Sequence, residues 1–317
     1  MDLTGIYHHE IPDFIREAAA TAPMQRLRGV GMNCGCEYTS FPQFSIWQSY
    51  NRFDHSLGAS LITWHFTSDP RQALAALFHD IATPVFSHVV DFLHGDYETQ
   101  ESTEKGTREM ILGCEEILAV CRKYAIDPEE ITDYHRYPIA DNDSPRLSAD
   151  RLEYTLGNIV NFGYGTVETV KAYYENLQAA ETELVFREET IACAFAKDAL
   201  RCSRVYVADA DRYSMQILSE ILAEAIRDGI ITPADLYLQE IDVVEKLERS
   251  PLLPRWQAFR KLKRVIPAPG GRVILAKKRY IDPCTCSGQR ASRLDEAFAR
   301  ELADFLNHSF DYGLTED

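Results

Sequence analysis

The chain has 317 residues, of which 45% are hydrophobic and 26% are charged, a composition typical of globular proteins with a large core. Its formal net charge of −16 argues against a nucleic-acid polymer as partner, because such binding requires a basic face that neutralises many phosphates. A small phosphorylated ligand is compatible with this charge, since it needs only a local cluster of arginine and lysine.

The N-terminal residues, MDLTGIYHHEIPDF, lack the basic start and the apolar run of a secretion signal. No stretch of the sequence approaches the roughly 20 apolar residues that cross a bilayer. We therefore expect a soluble, cytoplasmic protein that has no membrane partner.

Helical periodicity dominates the chain and predicts a mainly α-helical protein. The clearest apolar stripes are Phe53, Leu57, Leu61 and Trp64, and then Leu218, Leu222, Ala225 and Ile226. We interpret both stripes as core. Gly229 is a helix stop signal, which predicts that a long helix starting near Asp209 ends there.

The C-terminal part of the chain breaks the helical pattern. After PAPGG, residues 272–281 are rich in β-formers and lie between turn signals, which predicts a short sheet. Ser292, followed by an apolar stripe with Asp295 in the first turn, predicts a capped final helix. Composition alone favours solvated surface charge over an anion site for the cations of this tail: Lys261, Lys263, Arg264, Arg272, Lys277, Lys278 and Arg279.

Eight cysteines in a chain without an export signal indicate reduced thiols rather than disulfides. The pairs Cys34/Cys36 and Cys284/Cys286 could form a four-sulfur zinc site if the fold joined them. Their spacing differs from that of the common zinc ribbons, which favours small buried thiols.

Polar groups interrupt apolar helices at His55 and at the adjacent pair His79-Asp80, which follows six apolar residues, ALAALF. A lone helical histidine is more often structural, but burying a carboxylate among apolar residues costs several kcal/mol unless a cation accompanies it. His55 and Asp150 are candidates to complete a metal site. Two nitrogen and two oxygen ligands suit one divalent Mn, Fe, Co, Ni or Zn ion, and suit Mg less.

The order H…HD…D resembles the signature of the HD superfamily, and the flanking sequence resembles its deoxynucleoside triphosphate triphosphohydrolase branch. The resemblance implies an HD-domain helical bundle with a C-terminal helical extension that contains a small β element. It rests on QRLRGVG (residues 25–31), FPQF (41–44), NRFDHSLG (51–58), LFHDIATPVFSH (77–88) and ADRLEY (149–154), which lie in roughly the first half of the chain.

The resemblance also implies roles for individual residues. The metal ligands would be His55, His79, Asp80 and Asp150. Arg52 would face the phosphates, for which a guanidinium is well suited. The other substrate-binding residues would be Gln25, Arg28, Tyr154 and Asn158, and the catalytic residues Asp80, His88 and Glu104. For Tyr154 and His88, simple packing is a comparable alternative.

Two positions depart from the triphosphohydrolase pattern: Thr83 and Thr103 stand where that branch has histidines. We expect a metal-dependent phosphohydrolase acting on a small phosphate ester, with a nucleotide as the favoured substrate. One alternative is a regulatory nucleotide-binding protein that has lost catalysis. Another is a di-iron HD oxygenase, in which His94 and His135 would supply a second metal site; a single metal is favoured.

The expected organisation is an HD metal-dependent phosphohydrolase core over residues 1–165, a helical extension over 166–265 and a C-terminal lobe over 266–317. The last of these would contain one or more short strands and a final helix. Relatives of this type often self-associate, so the resemblance also implies a homo-oligomer.

Overall fold

A computed structural model describes residues 3–93, 95 and 106–317, and this part of the chain is mainly helical, as predicted. The helices before residue 165 are α1 Thr4–Tyr7, α2 Asp13–Ala19, α3 Ala22–Arg26, α4 Arg52–Thr67, α5 Pro70–Phe78, α6 Val89–Leu93, α7 Thr107–Gly113, α8 Glu115–Lys123 and α9 Ala149–Asn161. Those after it are α10 Val167–Glu175, α11 Glu189–Val205, α12 Asp209–Arg227, α13 Glu240–Glu248, α14 Leu253–Arg260, α15 Ala291–Leu294 and α16 Glu296–Asn307.

Short strands form two small sheets. They are β1 Leu177–Ala179, β2 Leu184–Phe186, β3 Val265–Val273, β4 Cys284–Thr285 and β5 Gly313–Glu316. Strand β2 pairs with β1 in antiparallel and with β4 in parallel orientation, whereas β3 pairs with β5 in antiparallel orientation. The predicted small β element near the C-terminus is therefore confirmed.

The limits of two predicted C-terminal elements were wrong. The strand predicted over residues 272–281 instead starts at Val265 and ends at Val273, because its partner β5 begins at Gly313, opposite Val273. Gly270 and Gly271 form an irregularity within this strand, where a Cβ on Gly271 would lie 2.7 Å from the Leu314 backbone. Residues 274–281 continue without regular secondary structure.

The final helix is capped by a different residue from the one predicted. Asp295 precedes α16, and its carboxylate accepts hydrogen bonds from the backbone N–H groups of Ala297 and Phe298. The hydroxyl of Ser292 instead donates to Asp282 at 2.5 Å. The predicted end of the long helix was correct, since α12 stops at Arg227 and Gly229 has a φ of 70°.

Helices α4, α5 and α9 form the part of the core that positions the candidate site. The side chain of Asn51 caps α4, and Asp69 with Pro70 starts α5. Helix α4 is buried on most of its surface, and the stripe that begins at Phe53 lies in the core as predicted. Close contact between α4 and α9 requires Gly58, where a Cβ would lie 2.6 Å from the Glu153 side chain.

The apolar core extends across the predicted unit limits. One cluster joins residues of α1 to α5 with residues of α9 to α11, and a second joins Phe86 and Val89 to the buried face of α12. The predicted unit boundaries themselves remain predictions. No helix in residues 3–93, 95 and 106–317 combines the length and the apolar character that crossing a membrane requires.

Candidate metal centre

Four side chains predicted as metal ligands meet at one point; we call them the His–Asp group (His55, His79, Asp80 and Asp150). His55 lies in the first turn of α4, His79 ends α5, and Asp150 lies in the first turn of α9. The Nε2 atoms of His55 and His79 are 3.2 Å apart, and Asp150 Oδ1 lies 3.0 and 3.5 Å from them. Asp80 Oδ2 lies 3.5 Å from His79 Nε2 and 3.8 Å from His55 Nε2.

Hydrogen bonds on the far side of each imidazole favour one tautomer. His55 Nδ1 donates to Glu153 Oε2 at 2.6 Å, and His79 Nδ1 donates to the Ala76 carbonyl at 2.7 Å. With the hydrogen on Nδ1, each Nε2 lone pair points into the group. Two lone pairs facing each other at 3.2 Å repel unless a proton or a metal ion lies close to both, so this arrangement fits a bound cation.

The charges of the group also favour a cation. Burial opposes charge on His55, but hydrogen bonds with Asp150 and Glu153 outweigh burial and raise its pKa to about 10, so either a proton or a metal ion on Nε2 is stabilised. Burial likewise favours neutral Asp150, yet its hydrogen bonds with His55 and His79 hold its pKa well below the usual range. The carboxylates therefore stay ionised and create a negative potential that a cation can relieve.

Asp80 is held in place by two neighbours. Thr83 Oγ1 donates to Asp80 Oδ1 at 2.8 Å, and Arg52 donates through NH1 to Asp80 Oδ2 at 2.8 Å. Thr83, which stands where the triphosphohydrolase pattern has a histidine, thus orients a member of the His–Asp group. The Nε of Arg52 donates to Ser87 Oγ at 3.0 Å, so this buried guanidinium is fixed beside the group.

Glu153 is a site residue that the sequence analysis missed. Its side chain is buried and accepts hydrogen bonds from His55, from the Tyr50 hydroxyl and from the Tyr7 hydroxyl, the last at 3.3 Å. Residues three apart lie on the same face of a helix. The spacing of Glu153 from Asp150 was therefore a signal that could have identified it.

The His–Asp group opens into a cavity of about 1010 Å³. Four of the other predicted site residues line it: Arg52, His88, Tyr154 and Asn158. Asn158 donates through Nδ2 to the Tyr206 hydroxyl at 2.8 Å, whereas its Oδ1 is buried and has no hydrogen-bond donor among the described residues. A buried acceptor of this kind can receive a hydrogen bond from a ligand.

His88 is oriented by a carboxylate. Its Nδ1 donates to Asp91 Oδ2 at 2.8 Å, and its Nε2 lies 3.4 Å from the Arg279 guanidinium. Burial, together with the charge of Arg279, lowers the pKa of His88 to about 4. His88 is therefore neutral near pH 7, with an Nε2 lone pair on the cavity side.

Gln25 and Arg28 are not brought into the cavity lining. Gln25 donates through Nε2 to the Ala19 carbonyl at 2.7 Å and accepts from Arg28 Nε at 2.9 Å. The Arg28 guanidinium stacks 3.7 Å over the Phe53 ring. Arg26, between them, reaches the loop after Asp80 and donates to the carbonyls of Ile81 and Thr83. Substrate contact by Gln25 and Arg28 remains a prediction.

Three predicted residues lie outside the described part of the chain: Glu104, Thr103 and His94. His135 lines the cavity, with its Nε2 3.6 Å from Asp141 Oδ2. Within residues 3–93, 95 and 106–317, His55, His79 and Asp80 form the cluster of metal-ligating side chains, with Asp150 Oδ1 within 3.5 Å of both imidazoles, and no cysteine belongs to it. A single metal remains a prediction, because His94 of the alternative second site lies outside the described residues.

Two groups of cavity residues were not foreseen. Lys277, Lys278 and Arg279, predicted as solvated surface charge, line the cavity. The second group, Trp47, Phe162 and Tyr206, continues from the predicted residue Tyr154, and we call these four residues the aromatic wall. Successive ring centroids along it are 4.9, 6.2 and 6.1 Å apart. Trp47, Phe162 and Tyr206 also pack with the apolar core, so the sequence alone does not distinguish them from core residues.

No protein-family model matches the sequence. The chain is 24% identical over 260 residues to the uncharacterized protein YdhJ of Bacillus subtilis (strain 168), which covers 79% of this chain and 76% of that protein. It is 28% identical over 200 residues to the metal-dependent phosphohydrolase cns2 of Cordyceps militaris. That match covers 62% of this chain and 55% of cns2, so it spans just over half the length of that relative.

A crystal structure of a hypothetical protein from Aquifex aeolicus shares the fold, with a TM-score of 0.59 and 17% sequence identity. The superposition covers 91% of this chain and 89% of the other. The name of the Cordyceps relative fits the HD superfamily.

Proposed function

We propose that this protein is a metal-dependent phosphohydrolase whose substrate is a small phosphate ester of the nucleotide class. The observation that carries the proposal is the convergence of His55 from α4, His79 and Asp80 from the end of α5, and Asp150 from α9 in the lining of a large cavity. A relative with a phosphohydrolase name supports the reaction class.

In this proposal His55, His79, Asp80 and Asp150 hold one divalent transition metal: Mn, Fe, Co, Ni or Zn, with Mg less suited to two imidazoles. When bound, such an ion supplies Lewis-acid polarisation of a phosphoryl oxygen and activates water. Glu153 holds the His55 ring with its Nε2 facing the group. Thr83 and Arg52 orient Asp80, and the Arg52 charge faces the phosphate.

His88 is the proposed proton-transfer residue among those described. Because Asp91 accepts the Nδ1 hydrogen, the Nε2 lone pair of His88 can receive a proton on the cavity side. The low pKa keeps His88 neutral before substrate binds, and an anionic phosphate beside it would favour the protonated form. Glu104, in the segment outside the described residues, remains the second predicted proton-transfer group.

The cavity favours a nucleotide over a simpler phosphate ester. The aromatic wall offers flat rings that can stack against a base, and it begins at Tyr154, whose ring lies 6.4 Å from that of His55. The unpartnered Oδ1 of Asn158 can accept a hydrogen bond from a sugar hydroxyl or an exocyclic amine. A phosphate near the His–Asp group would thus place an attached ring within reach of this wall.

The number of phosphate groups in the substrate is a separate and more detailed proposal. The resemblance favours deoxynucleoside triphosphates, yet Thr83 supplies no imidazole and instead binds Asp80. The test is therefore a phosphate-release screen over nucleoside mono-, di- and triphosphates, run on protein whose metal content has been measured. Inorganic phosphate, pyrophosphate and triphosphate are distinguished as products.

The expected result is bound metal and release of a phosphate product, with turnover lost in His79→Ala and Asp80→Ala. Bound metal with tight nucleotide binding and no release would contradict hydrolysis and select the regulatory nucleotide-binding protein. Two metals per chain and a requirement for dioxygen would select the oxygenase.

A further inference from the structure

Residues 274–281, the C-terminal arm, connect β3 to β4 and are tied to the rest of the fold at both ends. Arg212, fully buried in α12, donates to the Ile274 carbonyl, to the Val207 carbonyl at 3.0 Å and to Asp209 Oδ1 at 2.6 Å. At the other end, Ser144 Oγ donates to the Tyr280 carbonyl at 3.0 Å. The arm is therefore a fixed wall of the cavity and not a loose surface segment.

The basic side chains that line this cavity differ in their hydrogen-bond partners. Lys278 donates to the carbonyls of Leu306, at 2.6 Å, and His308. Arg151 donates to Asn142 Oδ1 at 2.7 Å and lies 3.4 Å from Asp141. Both side chains thus have protein partners that fix them in place.

Arg279 has a different environment. Its NH2 makes one long hydrogen bond, 3.4 Å, to the Nε2 of neutral His88. In the part of the chain that the structure describes, no carboxylate lies within ion-pair distance of its guanidinium. A cavity guanidinium whose strong donors lack an acceptor is suited to bind an anionic oxygen.

The position of Arg279 connects it to the His–Asp group through a short series of contacts. His88 follows Ser87, whose hydroxyl accepts from Arg52, and Arg52 in turn donates to Asp80. The two guanidinium groups therefore contact adjacent residues, Ser87 and His88, and both line the same cavity. An anion beside His88 would contact Arg279 while remaining close to Arg52.

We propose that Arg279 and His88 form an anion subsite in which Arg279 donates to phosphate oxygens of the substrate and His88 Nε2 accepts from a phosphate O–H, with Arg279 as the residue that determines affinity for the phosphate group. The ligand class is inorganic phosphate or the phosphate moiety of an organic ester. The inference rests on the proposed function only in taking this cavity as the substrate site.

The experiment measures binding of inorganic phosphate by isothermal titration calorimetry, with metal-loaded protein and with protein depleted of metal and dialysed free of chelator. The variants are Arg279→Gln, which removes the charge, and Arg279→Lys, which keeps it. The matched control is Lys263→Gln, an equal charge change at an exposed residue of the same tail. Circular dichroism checks that each variant is folded.

In Arg279→Gln, we expect phosphate binding to weaken about 10- to 100-fold, the loss typical of a charge-assisted pair of hydrogen bonds. Arg279→Lys should recover part of the affinity, because a lysine restores charge without the planar fork. The same ratio between variants should appear in metal-depleted protein. The kcat/KM for a hydrolysed ester should fall in parallel with phosphate affinity.

Phosphate affinity in Arg279→Gln within twofold of that in Lys263→Gln would overturn the inference, even if the wild type hydrolyses nucleotides. Arg279-dependent phosphate binding by a wild type that releases no phosphate from any nucleotide would instead support the subsite and contradict the proposed function. A folded Arg279→Lys variant keeps the test decisive if Arg279→Gln does not fold.

Discussion

The His–Asp group and the C-terminal arm both line one cavity, and they differ in how their positions are fixed. The His–Asp group is built from helix ends, where backbone direction and local hydrogen bonds such as His79 to Ala76 set each side chain. The arm has no regular secondary structure and is held by long-range contacts, above all those of Arg212.

This difference shows why the role of the His–Asp group could be predicted from the sequence and the role of the arm could not. Burying the carboxylate of a histidine-aspartate pair that follows six apolar residues costs free energy, which a bound cation offsets, so the local sequence itself indicates a cation site. Lys277 to Arg279 carry no such local signal, because an exposed strand and a cavity wall can have the same composition. Their role depends on the path of the chain after β3.

The largest expected effect tests the His–Asp group. His79→Ala removes one imidazole and should lower the rate of phosphate release by about 10³-fold or more, because metal-supplied stabilisation is worth several kcal/mol. The matched control is His65→Ala, at an exposed histidine of helix α4, which should retain the wild-type rate. Equal rates in the two variants would refute the role of His79.

Glu153→Gln tests the buried carboxylate behind the His–Asp group. Glutamine cannot accept the His55 Nδ1 hydrogen as strongly, so metal affinity should fall by about 10- to 100-fold. Competition with a fluorescent chelator measures this affinity. Glu168→Gln, at an exposed position in α10, is the control and should bind metal as the wild type does.

Arg212→Met separates the arm from the His–Asp group. It removes the donors that hold Ile274 and Asp209, and should lower the free energy of unfolding by about 2 to 4 kcal/mol. Phosphate affinity should fall about tenfold while metal content stays unchanged, since no member of the His–Asp group contacts Arg212. Equal loss of metal would show that the two regions are not independent.

The control for this variant is Arg300→Met, an exposed arginine of α16. It should keep the wild-type free energy of unfolding to within about 0.5 kcal/mol. Denaturant titration measures the free energy, and elemental analysis measures the metal.

Asp211→Asn gives the smallest expected effect and tests the protonation state of Asp211, a buried carboxyl group in the cavity lining. Burial raises the pKa of Asp211 to about 7, so the folded state binds a proton that the unfolded state releases above about pH 4. The contribution of Asp211 to the free energy of unfolding is therefore greatest at low pH and is lost as the pH rises through 7. Asparagine has no such loss.

We therefore expect Asp211→Asn to be more stable than the wild type by about 1 to 2 kcal/mol at pH 8, with the difference shrinking towards pH 4. Denaturant titrations at both pH values measure it. A difference that grows on acidification would contradict the buried, protonatable state of Asp211.

Much of the fold and part of the candidate site could be predicted from the sequence. Helical periodicity and stop signals located α4 and α12, and the H…HD…D order identified four side chains that lie together. Glu153 was also within reach, at the i+3 spacing from Asp150 on one helix face.

Other site residues could not be predicted in this way, because the residues that contact each other are far apart in the sequence. Arg279 and His88 are 191 positions apart, and their contact exists only after the arm is anchored. The resemblance predicted that Gln25 binds substrate, yet its side-chain amide donates to the nearby Ala19 carbonyl. Trp47 lies in a loop and Phe162 directly after α9, so no periodic pattern marks them, and only the cavity identifies them as site residues.

Metal content is the most direct test of the whole proposal. Wild-type protein and Asp150→Ala, each dialysed against Mn²⁺ and then freed of unbound ion by gel filtration, are compared by elemental analysis. The convergence of the His–Asp group predicts one metal ion per chain in the wild type and a large loss in Asp150→Ala. A wild type without metal, or an Asp150→Ala variant that retains the wild-type content, would contradict it.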